Sequence, residues 1–173
     1  MKLIQRNRDA AYLQYDKYVD FDNPMVMEKA MDLTKNCRSV YEKIETIYYF
    51  VRDEIDHTWD AKDSTITISA SDVLEKKTGI SYSKANLLAA LMRANGIYTG
   101  FCYQRIKRFT YDNKLALHAL NAVFEPDVKK WIRLDARGNN YQFQADFSIN
   151  ERNLGYEIRP ELGLSLIHIS EPT

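Results

Sequence analysis

Three residues of the chain have types and surroundings suited to nucleophilic chemistry. Ser81 ends the turn TGIS, and the residues after it, YSKANLLAALMRAN, carry an apolar stripe at helical spacing, so the hydroxyl lies at the start of a helix expected over 82–95. The free N–H groups and the positive dipole end of that helix favour a developing negative charge. A hydroxyl or thiol nucleophile also needs a base to take its proton, and the base needs a group that fixes its tautomer. His118 opens the alternating run LHALNAVF and Asp135 closes WIRLD. Neighbouring antiparallel strands bring such residues side by side. Cys102 sits mid-strand, away from any helix start, and reads as a packed thiol. His57, with Asp53, Asp56, Trp59 and Asp60, falls at a helix end and the loop after it. These residues are too close along the chain to converge on a metal and read as a solvated face; no Cys/His spacing matches a zinc site.

The elements that must position this set follow from capping and periodicity. Asn23 before Pro24 predicts a helix over 24–36. Ser39 with Glu42 forms a capping box, and Val40, Ile44, Ile47, Tyr48, Val51 and Ile55 continue at helical spacing to about residue 55. The run STITISASD alternates and predicts a short strand or extended arm, after which Ser71 is expected to cap a brief helix, DVLEKK. Gly79 is placed to supply a positive φ on the way into the Ser81 helix, which Gly96 ends. The period then changes from helical to alternating. Strands are expected over 97–109, 117–124 and 131–135, with turns containing Asp112-Asn113 and Pro126-Asp127. The first 23 residues, polar and tyrosine-rich, read as an extended lead-in or lid. Helices followed by antiparallel strands make an α+β domain, with the Ser81 helix packed on one face of the sheet.

The totals bound the function classes. With 173 residues, 45% hydrophobic and 28% charged, the chain fits a single domain with a sizeable core. Lys plus Arg equals Asp plus Glu at 24 each, so no global field selects nucleic acid or an anionic membrane. No apolar run approaches the about 20 residues that span a bilayer, and MKLIQRNRDAA lacks a signal segment. The expectation is a cytoplasmic protein without membrane contact. Cys37 and Cys102 do not make a disulfide framework. Oligomeric state is not legible, because the central helix and the sheet can consume all the apolar faces.

The blocks ASDVLEKKTGISYSKANLLAALMRANGI, GFCYQRI, HALNAVF and WIRLDARGN, in that order, resemble the transglutaminase-like family of the papain-like cysteine peptidase superfamily, in particular its small bacterial members. The resemblance implies a nucleophile helix packed on an antiparallel sheet and preceded by further helices. It also implies a triad, with His118 as general base, Asp135 as orienting acid and Ser81 at the position of the nucleophilic cysteine. The implied chemistry is acyl transfer or hydrolysis on a peptide or protein amide or ester, with no cofactor. Serine in place of cysteine implies impaired turnover, since a hydroxyl ionises far less readily than a thiol. The alternative is a peptide-binding module that keeps the cleft without turnover. The backbone N–H of Ser81 is the natural first oxyanion donor, and Trp59 or Gln104 is a candidate for the second. Tyr82 and Tyr103 are candidate pocket walls or core residues. Arg137, where many relatives have Pro-Thr after the aspartate, either clamps a substrate carboxylate or pairs with a surface acid.

Residues 164–173, LSLIHISEPT, resemble codon for codon the translation of a transposon-type sequencing adapter, as found in shotgun or metagenomic reads. That resemblance implies a domain over 1–163 followed by a non-native tail, which is left out of the fold expected above.

Overall fold

The computed structural model describes residues 9–107, 114–141, 143–149, 154–156 and 165–170. Asn23 accepts the Met25 N–H and Pro24 occupies the first turn, starting α1 (Pro24–Thr34). Ser39 caps α2 (Val40–Asp53) through the Glu42 N–H, and Ile44, Ile47, Tyr48 and Val51 form its buried face. A two-residue strand, β1 (Asp56–His57), precedes α3 (Ala70–Lys76) and is paired in parallel with β2 (Thr78–Gly79). Helix α4 (Ser81–Ala94) follows at once and is buried nearly all round, with Leu87, Leu88, Leu91 and Met92 fully enclosed. Its neighbours are α1, α2 and α3 on one side and the sheet on the other. The sheet has order β5-β4-β3-β6, formed by β3 (Thr99–Lys107), β4 (Leu115–Glu125), β5 (Lys130–Leu134) and β6 (Ser165–Ser170), all antiparallel neighbours. This is the expected α+β arrangement.

Several expectations change in detail. Residues 64–68 form no strand. Thr67 turns inward, giving its hydroxyl to the Thr78 carbonyl at 3.0 Å and meeting Ser83 Oγ at 3.1 Å, while Ile66 and Ile68 face out. A side-chain hydrogen bond, not apolar burial, sets the inner face there. The cap of α3 is Ser69, which closes a capping box with Asp72, because Ser71 is drawn to Asp20. Gly79 is not at positive φ; the left-handed residue is Lys77, at the end of α3. Glycine is needed at 79 for space, since a Cβ there would stand 2.6 Å from Ser83 Oγ and 3.2 Å from Thr67 Oγ1. Within the lead-in, Asp9–Leu13 is a single 3-10 turn whose Tyr12 is buried against Trp131, ring centroids 4.8 Å apart. An extended reading of residues 1–8, and the Asp112-Asn113 turn, lie outside the described residues. The segment left out as a tail supplies β6, whose backbone pairs with the outer edge of β3. The edge strand β3 offers unpaired backbone groups that an alternating segment such as SLIHIS can complete.

Candidate active site

Ser81 is the first residue of α4, and the N-cap before it is Ile80, which contributes no side-chain cap. The first-turn N–H groups therefore have no side-chain acceptor of their own, and their partial positive charge faces the space in front of Ser81. The turn is held from behind by the Thr67 hydroxyl, which bonds the Thr78 carbonyl and lies 3.1 Å from Ser83 Oγ, itself 3.2 Å from the Ile80 carbonyl. Asn121 of β4 donates to the Ala85 carbonyl at 3.1 Å and so ties the first turns of α4 to the strand that carries His118.

His118 lies on β4 opposite Gln104, and its Nε2 is 2.8 Å from Asp135 Oδ2. Both side chains are at most 3% exposed. Asp135 follows the last residue of β5. Its Oδ1 accepts the Arg137 N–H at 3.2 Å, the Gly155 N–H adds a further bond, and its carbonyl takes the Tyr48 hydroxyl at 3.2 Å. Burial works to raise the Asp135 pKa, but the charge and hydrogen bond of His118 and the two backbone N–H groups outweigh it and hold the carboxyl below its ordinary value. With Nε2 spent on Asp135, Nδ1 is the ring nitrogen left for chemistry. The Tyr156 ring lies over the imidazole, centroids 4.7 Å apart.

A cavity of about 620 Å³ joins these groups, with Ser81 and His118 both on its wall. Among the described residues no hydrogen bond joins Ser81 Oγ to His118 in this state. Trp59 and Tyr82 are also on the wall. Tyr103 stands behind Tyr82, ring centroids 6.1 Å apart, and packs on the core. Gln104 is buried beside His118, donates to the Tyr156 carbonyl at 3.5 Å and is not a wall residue. Arg137 is on the wall, but both its terminal nitrogens reach Asp60, at 2.8 and 3.1 Å, so of the two roles open to it the structure displays the acid pairing.

The sequence reading missed three contributors. His57 is not on a solvated face: its side chain is 9% exposed and lines the same cavity, because the β1–β2 bridge draws it beside Gly79. Two-residue strands leave no periodicity to read. Tyr156 arrives from a distant loop without a local signal. Lys84, three residues into α4 from Ser81, is 1% exposed and gives its ammonium to the carbonyls of Ile55 at 2.5 Å and Arg52 at 3.3 Å. It ties the end of α2 to the nucleophile helix.

The family model of the transglutaminase-like superfamily matches residues 28–136. Among curated proteins none matches the sequence. Among solved structures, a candidate cysteine protease from Cytophaga hutchinsonii is similar with a TM-score of 0.65 at 20% identity, over 96% of this chain and 48% of that one. The periplasmic domain of TgpA from Pseudomonas aeruginosa, bound to ethylmercury, is similar with a TM-score of 0.56 at 17% identity, over 74% and 48% of the two chains. A candidate protease from Parabacteroides distasonis follows at 0.51 and 17%, over 73% and 26%. The chain thus spans about half the length, or less, of the structures it resembles. No described helix is long and apolar enough to cross a membrane.

Proposed function

The chain belongs to the transglutaminase-like superfamily, and we propose that its cavity performs acyl transfer or amide hydrolysis with Ser81 as nucleophile, His118 as base and Asp135 as the acid that orients it. The observation that carries this reading is the buried His118–Asp135 pair on the same cavity as the uncapped start of α4. In the first step Ser81 Oγ attacks the carbonyl carbon: a C–O bond forms, the carbonyl π pair moves onto its oxygen, and the hydroxyl proton passes to His118 Nδ1. Collapse restores the carbonyl, breaks the bond to the leaving group and sends the proton from His118 onto the departing amine or alcohol. Water or a second amine then attacks the acyl-enzyme by the same sequence.

Exposed Trp59, Ile80, Tyr82, Leu115, Leu117 and Tyr141 ring the cavity. They suit a peptide or protein acyl donor whose carbonyl is flanked by apolar or aromatic side chains. A free substrate carboxylate has no claim on Arg137 while Asp60 holds its fork.

Serine makes the first step slow, because His118 must remove a proton that a thiol would already have lost. Ser81→Cys is therefore expected to gain thiol labelling and turnover on activated acyl esters and glutamine peptides, and the double variant with His118→Ala to lose the turnover and the labelling at low pH. A folded Ser81→Cys chain with neither property would sink the triad. Peptide binding surviving in that case would favour the cleft as a binding module.

A further inference from the structure

The cavity holds a second imidazole that the triad does not use. His57 is fixed by backbone as firmly as any residue near the site: the Asp56 N–H reaches the Lys77 carbonyl at 2.9 Å, and the Thr58 N–H reaches the Gly79 carbonyl at 3.2 Å. These bonds clamp His57 opposite Gly79, two residues before Ser81. Its side chain is nine-tenths buried and on the cavity wall. Nδ1 is sealed from solvent and has no hydrogen-bond partner. The acceptor facing it, Asp60 Oδ1, is 3.9 Å away, and that carboxylate already takes two bonds from Arg137 and one from Asn140.

We propose that His57 donates a hydrogen bond from Nε2–H to the acyl oxygen, completing an oxyanion site whose other donor is the backbone N–H of Ser81. The proposal rests on the acyl-transfer reading of the same cavity. A neutral imidazole carries one proton. Asp60 Oδ1, at 3.9 Å, is beyond hydrogen-bond distance and does not hold that proton on Nδ1; we place it on Nε2, where it is available to the cavity. Burial first, and then the positive charge of Arg137, lower the His57 pKa to about 4; Lys84 and His118 push the same way and Asp60 opposes them. At neutral pH the ring is therefore uncharged and still a donor. Trp59, the sequence candidate for this role, is 65% exposed at the cavity edge, and Gln104 is not on its wall.

The test uses the Ser81→Cys chain. Alkylation of the thiol needs no oxyanion site, whereas acyl turnover does. His57→Ala should lower kcat on a peptide ester roughly 100- to 1,000-fold with little change in KM, while the alkylation rate stays within about two-fold. His57→Gln, which keeps an N–H donor, should recover at least about ten-fold of the loss. Turnover of His57→Ala within about three-fold of its parent would overturn the assignment. If Ser81→Cys itself turns nothing over, the acyl-transfer reading fails separately, and nitrogen NMR of the unaltered chain still decides on His57. Its ring should be neutral with the proton on Nε2 from about pH 5 to 8; a proton on Nδ1, or a cation at pH 6, contradicts the proposal.

Discussion

Lys84 carries an electrostatic conflict at the level of a single residue. Burial lowers its pKa to about 7, the charge of Arg137 adds to that, and Asp135, Asp56 and Asp53 oppose it. A lysine depressed in the folded state binds fewer protons there than in the unfolded chain, whose lysines titrate near pH 10.4. Stability therefore rises with pH from about 7 toward 10, by up to about 1.4 kcal/mol per pH unit. The expected outcome is a melting temperature that climbs between about pH 7 and 9 relative to that of Lys84→Met, whose own profile lacks this contribution. A constant difference between the two across that range contradicts the buried titration. The reason for keeping a lysine is local. Even as a neutral amine Nζ keeps N–H donors for the Arg52 and Ile55 carbonyls, which methionine would leave bare, so Lys84→Met is not expected to be more stable than the native chain at pH 9.

At the scale of elements, α2 and α4 were legible because their signals are redundant. Ser39 with Glu42 marks one start, and the apolar stripes mark both faces to within two residues of the observed ends. The strands after Gly96 were legible through alternation, and their register sets His118 and Asp135 side by side. What failed was structure made by hydrogen bonds over short spans. The Thr67 hydrogen bonds set the inner face of residues 64–68 where alternation suggested a short strand or extended arm, and the β1–β2 bridge that delivers His57 is two residues long. Gly79 shows the same limit: its type was noticed, but the constraint is the nearby Ser83 and Thr67 hydroxyls, not a left-handed backbone. Gly79→Ala should cost roughly 1–3 kcal/mol in denaturant unfolding, as overpacked sites do. It should also slow labelling of Ser81→Cys by displacing the turn. Unchanged stability would mean that Ser83 Oγ rotates away at no cost.

For the whole molecule, the similarity to larger proteins places this chain as a unit about half the length of its structural neighbours or less. The proposed catalytic residues Ser81, His57, His118 and Asp135 lie on α4, β1, β4 and directly after β5, and none of them is on β6. We propose residues 164–173 as foreign to the domain. Removing them should change stability by less than about 1 kcal/mol, a melting shift under about 4 °C, and leave the labelling rate of Ser81→Cys unaltered. A collapse of the fold on removal would make β6 an integral strand. The central claim remains that the start of α4 is a cradle for an ionised nucleophile served by His118. Its most direct test is the pH dependence of alkylation of Ser81→Cys. The rate should follow a thiolate that is already formed well below the free-cysteine value of about 8.5, and His118→Ala should move it back to that value. A profile centred near 8.5 in Ser81→Cys itself, unmoved by His118→Ala, would contradict the account.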